Sequence, residues 1–154
     1  MNTTKLRLWP LLLLPLLAVM AGCADREIKL TPAEMHLYGL LDDIRRGAEP
    51  EETKSCLSIR AYDVVEIVDD TRLVFLARKG KGWVNELRAP CMGLRRDHAL
   101  IFDLRSSNAC QMDRVQGFRP GMQGASPAAL CVLGKFTEIP EYRVPRVVQA
   151  LKEL

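Results

Sequence analysis

The sequence predicts a mainly β (α+β) fold: a small antiparallel β-barrel or strongly curled sheet of five to six strands, with a short N-terminal helix and a C-terminal helix. Three observations lead there. Runs rich in β-branched residues between Cys56 and Phe136 are separated by tight-turn signals. Helical spacing of apolar residues occurs only near the ends, from Leu37 to Ile44 and from Val144 to Leu151. Five or six strands exceed an isolated hairpin, and closing them into a barrel would remove exposed edges. An open antiparallel sheet with both helices across one face satisfies the same pattern.

The chain begins with a segment that reads as an address rather than as fold. Asn2 to Arg7 is polar and basic, Leu8 to Met20 is an apolar run, and Met20-Ala21-Gly22-Cys23 closes it. This order reads as a secretory signal, residues 1–22, ending at a lipid-attachment cysteine, Cys23. The apolar run contains Pro10 and Pro15 and is shorter than the roughly 20 residues that a membrane-spanning helix needs. The box resembles that of bacterial lipoproteins, with Met20 where leucine is preferred. The resemblance implies a diacylglyceryl group on Cys23 and anchoring through several acyl chains. Ala24, rather than aspartate, follows the cysteine, which on the same resemblance points to the outer membrane, facing the periplasm. Residues 23–30 are then the lipidated cysteine and a polar tether.

Thr31-Pro32-Ala33-Glu34 carries a capping residue, a first-turn proline and the glutamate of a capping box. Leu37, Leu40, Leu41 and Ile44 follow at helical spacing and Gly47 can end the helix, so a helix is expected over 32–46. Residues 48–54 read as an acidic connector. Leu57–Val68, Thr71–Arg78 and Trp83–Leu87 read as strands of a meander, joined by Asp69-Asp70 and by Lys79-Gly80-Lys81-Gly82. Pro90–Leu94 is a loop. Leu100–Leu104 and Ala109–Val115 are expected strands around the turn Arg105–Asn108. Gly117–Ala128 reads as a Gly-, Pro- and Ser-rich excursion, Leu130–Phe136 as a last strand interrupted by Gly134, and Val144–Leu154 as the terminal helix. Residues 31–154 thus make one globular domain with a disulfide-linked β core over 54–138.

Four cysteines remain beyond Cys23, an even number in an exported small domain, which predicts two structural disulfides. Of three connectivities, Cys91–Cys110 with Cys56–Cys131 is the expectation: the first closes a local loop and the second ties the first strand to a late one. None of the spacings is CxxC, and the cysteines do not cluster with histidine, so neither a redox pair nor a zinc site is expected.

The formal charge of +3 falls by two when Lys5 and Arg7 leave with the leader, so the basic pI argues for no nucleic-acid partner. Aromatics are 6% of residues and no basic run is interleaved with them, which removes the stacking platform such a partner needs. No catalytic residue, metal site or cofactor is predicted. His36 and His98 lack a nucleophilic or metal arrangement, and Ser58, Ser106, Ser107 and Ser126 lack a nucleophile-elbow context. Glu51 and Glu52 sit in a linker, a poor place to raise a carboxyl pKa. Asp69 and Asp70 satisfy turn amides, and Asp113 is expected to accept buried backbone hydrogen bonds or pair with Arg60 or Arg114. Two surfaces are candidates for ligand binding: the Lys79, Lys81 and Trp83 hairpin, and the Arg88, Arg95 and Arg96 group, whose guanidinium forks suit carboxylates or phosphates.

The succession Cys56-Leu57-Ser58-Ile59-Arg60, Val68-Asp69-Asp70, Cys91-Met92-Gly93-Leu94, Cys110-Gln111-Met112-Asp113 and Cys131-Val132-Leu133-Gly134-Lys135-Phe136 resembles a family of uncharacterised proteobacterial lipoproteins. The resemblance covers residues 54–138 and implies four matching cysteines and no assigned activity; Met92 stands where many relatives have proline. In general plan alone the chain also resembles periplasmic lysozyme inhibitors, without their inhibitory motif. The function expected is a periplasm-facing, non-catalytic binding module, anchored in the membrane by lipid and holding an envelope protein or glycan. The alternatives are a structural or assembly component of the envelope, an enzyme inhibitor, or a hydrolase.

Overall fold

Residues 29–49, 52–121 and 130–154 are described by a computed structural model. The leader, Cys23, most of the tether, Glu51, Ser126 and the 122–129 part of the excursion lie outside the described residues. Thr31–Leu154 is one compact unit.

Helix α1, Pro32–Gly47, starts as its capping signals require. Thr31 Oγ1 accepts the Glu34 N–H, and Glu34 Oε2 accepts the Thr31 N–H at 2.8 Å. Leu37, Leu41 and Ile44 form its buried stripe. Ten short strands follow: β1 Thr53–Lys54, β2 Cys56–Ser58, β3 Val64–Ile67, β4 Arg72–Leu76, β5 Gly82–Glu86, β6 Ala99–Asp103, β7 Asn108–Cys110, β8 Arg114–Phe118, β9 Cys131–Val132 and β10 Phe136–Ile139. Helix α2, Val144–Lys152, closes the chain with Val144, Val147 and Ala150 buried. Among the described residues no helix is long and apolar enough to cross a membrane.

The barrel expectation is overturned. The strands form three separate sheets, in the orders β1-β10-β5-β4-β3, β2-β7 and β6-β8-β9, and none closes on itself or curls strongly. The meander β3-β4-β5 is present, antiparallel throughout. Its central residues explain why the sheet stays open. Leu73, Val74 and Phe75 are all fully buried although neighbours on a strand point to opposite faces, so both faces need covering. Both helices lie on one face, where Leu37, Leu41, Ile44, Val144 and Val147 pack with Val74, Val84 and Ile139. The two small sheets cover the other, where Leu57, Ala109 and Val115 pack with Leu73, Phe75, Trp83 and Phe136. Phe75 sits at the centre of this second layer, edge-on to Tyr62 and Phe136. The outer strands are two and four residues long, which blunts the edges without closure.

Three expected strands are each two strands in different sheets. Leu57–Val68 breaks between β2 and β3, where the Ala61 N–H donates to the Ser58 carbonyl and Asp63 accepts the Arg78 N–H. Ala109–Val115 breaks at Met112, whose φ of 74° no strand residue adopts, and Asp113 caps the break by accepting the Cys110 N–H at 2.8 Å. Asp113 is 4% exposed, and its ionic partner is Arg105, not Arg60 or Arg114. Leu130–Phe136 breaks at Gly134, which separates β9 from β10. Conversely, Gly117 and Phe118 belong to β8 and not to the excursion.

The disulfide expectation is also corrected. The bonds are Cys56–Cys110 and Cys91–Cys131. Cys56 lies directly opposite Cys110 in the β2–β7 ladder, with Cα atoms 3.9 Å apart. The hydrogen bonds fall on the flanking pairs, Ser55 with Gln111 and Ile59 with Ser107, which makes this a close, non-hydrogen-bonded pair. Cys131 is brought to the Cys91 loop because the Arg88 N–H donates to the Val132 carbonyl at 2.9 Å. Short loop length is a poor guide here; strand pairing decides. In that loop Gly93 takes φ +80°, which suits glycine.

Peptide mapping without reduction should recover Cys56 linked to Cys110 and Cys91 linked to Cys131. Because the bonds close segments of 54 and 40 residues, removing either pair by double Cys→Ala should lower unfolding free energy by about 2–5 kcal/mol in urea titrations. Recovery of a Cys91–Cys110 peptide from native protein would refute the register given for β2 and β7.

Candidate functional site

The charged recesses of the described surface include two grooves, one near each end of α1. The first, about 570 Å³, lies between the first turns of α1 and the 94–97 turn, and Glu34, Tyr38, Asp69, Arg95, Arg96 and Asp97 line it. Its charges are mostly committed to one another. Arg96 donates through Nε to the Val68 carbonyl at 2.9 Å and through Nη2 to Glu34 at 3.0 Å. Asp69 holds the turn its sequence promised, accepting from the Thr71 N–H and hydroxyl, and it takes Arg72 in a two-pronged pair. The Arg72 guanidinium lies 4.2 Å from the centre of the Tyr38 ring. Asp97 pairs with Arg95 and Arg119.

These partners set the acid–base behaviour. Glu34 is held below the usual carboxylate range first by the Thr31 backbone N–H, then by the Thr31 hydroxyl and Arg96. Asp97 is lowered by its hydrogen bond to Arg119. Burial, followed by the charge of Asp69, raises the Tyr38 phenol. This groove is a braced joint between helix and loop.

The second groove, about 450 Å³, sits where the last turn of α1 meets the sheet. Arg45, Thr53, Glu86, Arg88, Lys135 and Thr137 line it above Gly134. Arg45 holds Glu86 at 3.0 Å, which neutralises both. Thr53 and Thr137 face one another across β1 and β10. The floor is built by Asn85, fully buried, whose amide donates to the Gly134 carbonyl at 3.0 Å and accepts the Gly134 N–H at 3.1 Å. A Cβ on Gly134 would fall on the Glu86 carbonyl oxygen, so only glycine lets the two segments touch.

The structure separates the residues that the sequence grouped. Arg95 and Arg96 belong to the first groove and Arg88 to the second. Lys79 and Lys81 are exposed on the β4–β5 turn, but Trp83 is 4% exposed and packed in the core, so the three make no joint surface. The reason is strand alternation: Trp83 pairs with Phe75 on the face covered by the small sheets. Its Nε1 is buried without a well-formed hydrogen bond, yet it lies near Glu138, its cross-strand neighbour. Sequence reading missed Arg45, Thr53, Asn85, Lys135 and Thr137. Only Asn85 left a trace, as a polar residue inside the expected strand Trp83–Leu87. Among the described residues no three His, Cys, Asp or Glu side chains converge on a metal-sized position.

A disulfide-stapled α+β domain with two charged grooves is the class of protein that fold and sites define. The chain belongs to a family of unknown function, DUF6491, which it matches over residues 4–152. No curated protein and no solved structure matches it.

Asn85→Ala should leave the buried Gly134 N–H and carbonyl without their partner and cost about 1–3 kcal/mol for each group so stranded, read as a lower urea midpoint. A loss within error of zero would mean that water replaces the amide. The carboxylates predict a pH dependence of definite sign. Glu138, like Glu34 and Asp97, is held below its ordinary value, in its case chiefly by Lys54 at 2.7 Å. Such groups add stability that is complete above the unfolded value, about 4.5 for glutamate, and lost as pH falls through the lowered folded value. The urea midpoint should therefore hold from neutrality to about pH 4.5 and decline below it, and Glu138→Gln should make that decline shallower.

Proposed function

We propose that this protein is a lipid-anchored, non-catalytic binding module of the bacterial cell envelope, held to the outer membrane by Cys23 and facing the periplasm. The observation that carries the reading is the cysteine arrangement. All four cysteines of the domain are joined in two disulfides, as an oxidising compartment favours, and Cys23 stands apart behind a leader-like segment. The family match beginning at residue 4 supports treating that leader as part of the protein's design. The non-catalytic reading rests on the carboxylates of the larger groove, which are engaged in capping, turn and ion-pair roles. An assembly role through the apolar stripe of α1 is disfavoured, because Leu37 and Leu41 are buried in the domain and not offered to a partner.

The test is metabolic labelling with a palmitate analogue, followed by fractionation. Wild-type protein should take up label and sediment with outer membranes, while Cys23→Ser should lose the label and move to the soluble periplasmic fraction. Unlabelled wild-type protein would end the anchor reading. Cross-linking of intact envelopes, with recovery of both protein and glycan adducts, tests the binding half separately.

A further inference from the structure

The geometry points to the second groove as a binding site for a phosphate-bearing ligand, held by Arg88 and Lys135 with the hydroxyls of Thr53 and Thr137. This deepens the binding-module reading and rests on it.

The charges around the groove divide into paired and unpaired. Arg45 and Glu86 cancel across it at 3.0 Å. Lys54, on the adjoining residue of β1, is engaged by Glu138. Arg88 and Lys135 make no side-chain hydrogen bond or ion pair with any described residue, so among the described residues the recess carries two positive charges without a counter-charge. Lys79 and Lys81 are exposed on the β4–β5 turn, and Arg88 and Lys135 are exposed as well, so the difference lies in the recess that the second pair shares. Arg88 and Lys135 line a recess, where an anion displaces less water and meets both at once.

The framework fixes the backbone that carries these cations. The Arg88 N–H bonds the Val132 carbonyl, and Asn85 grips both backbone polar groups of Gly134. The absent side chain of Gly134 lets the end of β5 lie against the turn before β10. Two segments about fifty residues apart in sequence therefore present their cations to one cavity. Thr53 and Thr137 are opposite partners in an antiparallel pair, so their side chains share a face.

That donor set suits phosphate better than a carboxylate. A guanidinium fork, an ammonium and two hydroxyls exceed what the two oxygens of a carboxylate occupy, whereas a phosphate presents three or four oxygens in a tetrahedron. The same chemistry is offered by a soluble phosphate ester and by a phospholipid headgroup.

The full chain, purified in a non-ionic maltoside detergent, should be titrated calorimetrically with glycerol 3-phosphate, and separately by adding phosphatidylglycerol to the micelles. Binding of either supports the assignment: response to the first alone identifies a soluble ester, and response to the second alone a lipid headgroup. Arg88→Glu and Lys135→Glu should each weaken binding by about tenfold or more, while Lys79→Glu leaves it unchanged. Near-ultraviolet circular dichroism checks that each variant is folded. Equal loss from Lys79→Glu would overturn the site in favour of diffuse attraction. Heat from N-acetylmuramic acid, a carboxylate, with none from either phosphate would overturn the phosphate assignment yet leave the binding module standing. Silence toward all three probes would overturn the assignment, and the envelope cross-linking would then decide the broader reading.

Discussion

The constraint on which the structure depends is two-sided burial of the central strands. A sheet with one wet face can close, curl or stay flat at little cost, but Leu73, Val74 and Phe75 admit no wet face. Burying a large apolar side chain is worth about 1.5–3 kcal/mol relative to leaving it exposed. Leaving either set of side chains in water would thus erase a large part of a marginal stability. The chain resolves this by dividing its remaining elements. Both helices cover one side, and the two small sheets cover the other. The disulfides belong to this second layer: Cys56–Cys110 holds together a sheet of two three-residue strands, and Cys91–Cys131 ties the loop after β5 to β9. Such short ladders have little stability of their own.

What was legible in the sequence was what is local. The capping box at Thr31 and Glu34, the meander and the turn at Asp69 each involve residues a few places apart, and each formed as the pattern required. What was illegible depends on distant pairing. A β-branched run such as Leu57–Val68 carries no mark saying that its ends enter different sheets. The break at Met112 is harder still, since methionine gives no hint of a left-handed backbone. The disulfide pairing fails for the same reason: chain distance makes Cys91–Cys110 attractive, whereas the β2–β7 register sets Cys56 against Cys110. The basic neighbours of Trp83 suggest a surface position, but alternation along β5 turns it inward.

The same division explains the candidate site. The guanidinium of Arg88 suits an anion, as its chemistry suggests, but its companions are not Arg95 and Arg96. Those two are consumed in bracing α1 and the 94–97 turn, where Glu34 serves at once as capping residue and as partner of Arg96, and Arg95 pairs with Asp97. Beyond its own segment, the neighbours of Arg88 come from β1, α1, β10 and the link between β9 and β10, all distant in sequence.

Asn85 shows why that link matters. A fully buried amide is tolerated only when each polar atom is matched, and here the match is made to the backbone of Gly134 and Lys135, not to another side chain. Backbone groups do not change with sequence, so Asn85 sets the position of Gly134 whatever side chains surround it. Asparagine supplies a donor and an acceptor in one plane, and glycine supplies a backbone that can be approached closely; neither serves without the other. An apolar residue at position 85 would pack the core equally well but leave two backbone groups unmatched, and the segment bearing Lys135 would have reason to move away from Arg88. The polar pair beneath the groove is therefore a positional device: it exchanges some apolar burial for a fixed placement of the backbone that carries Lys135.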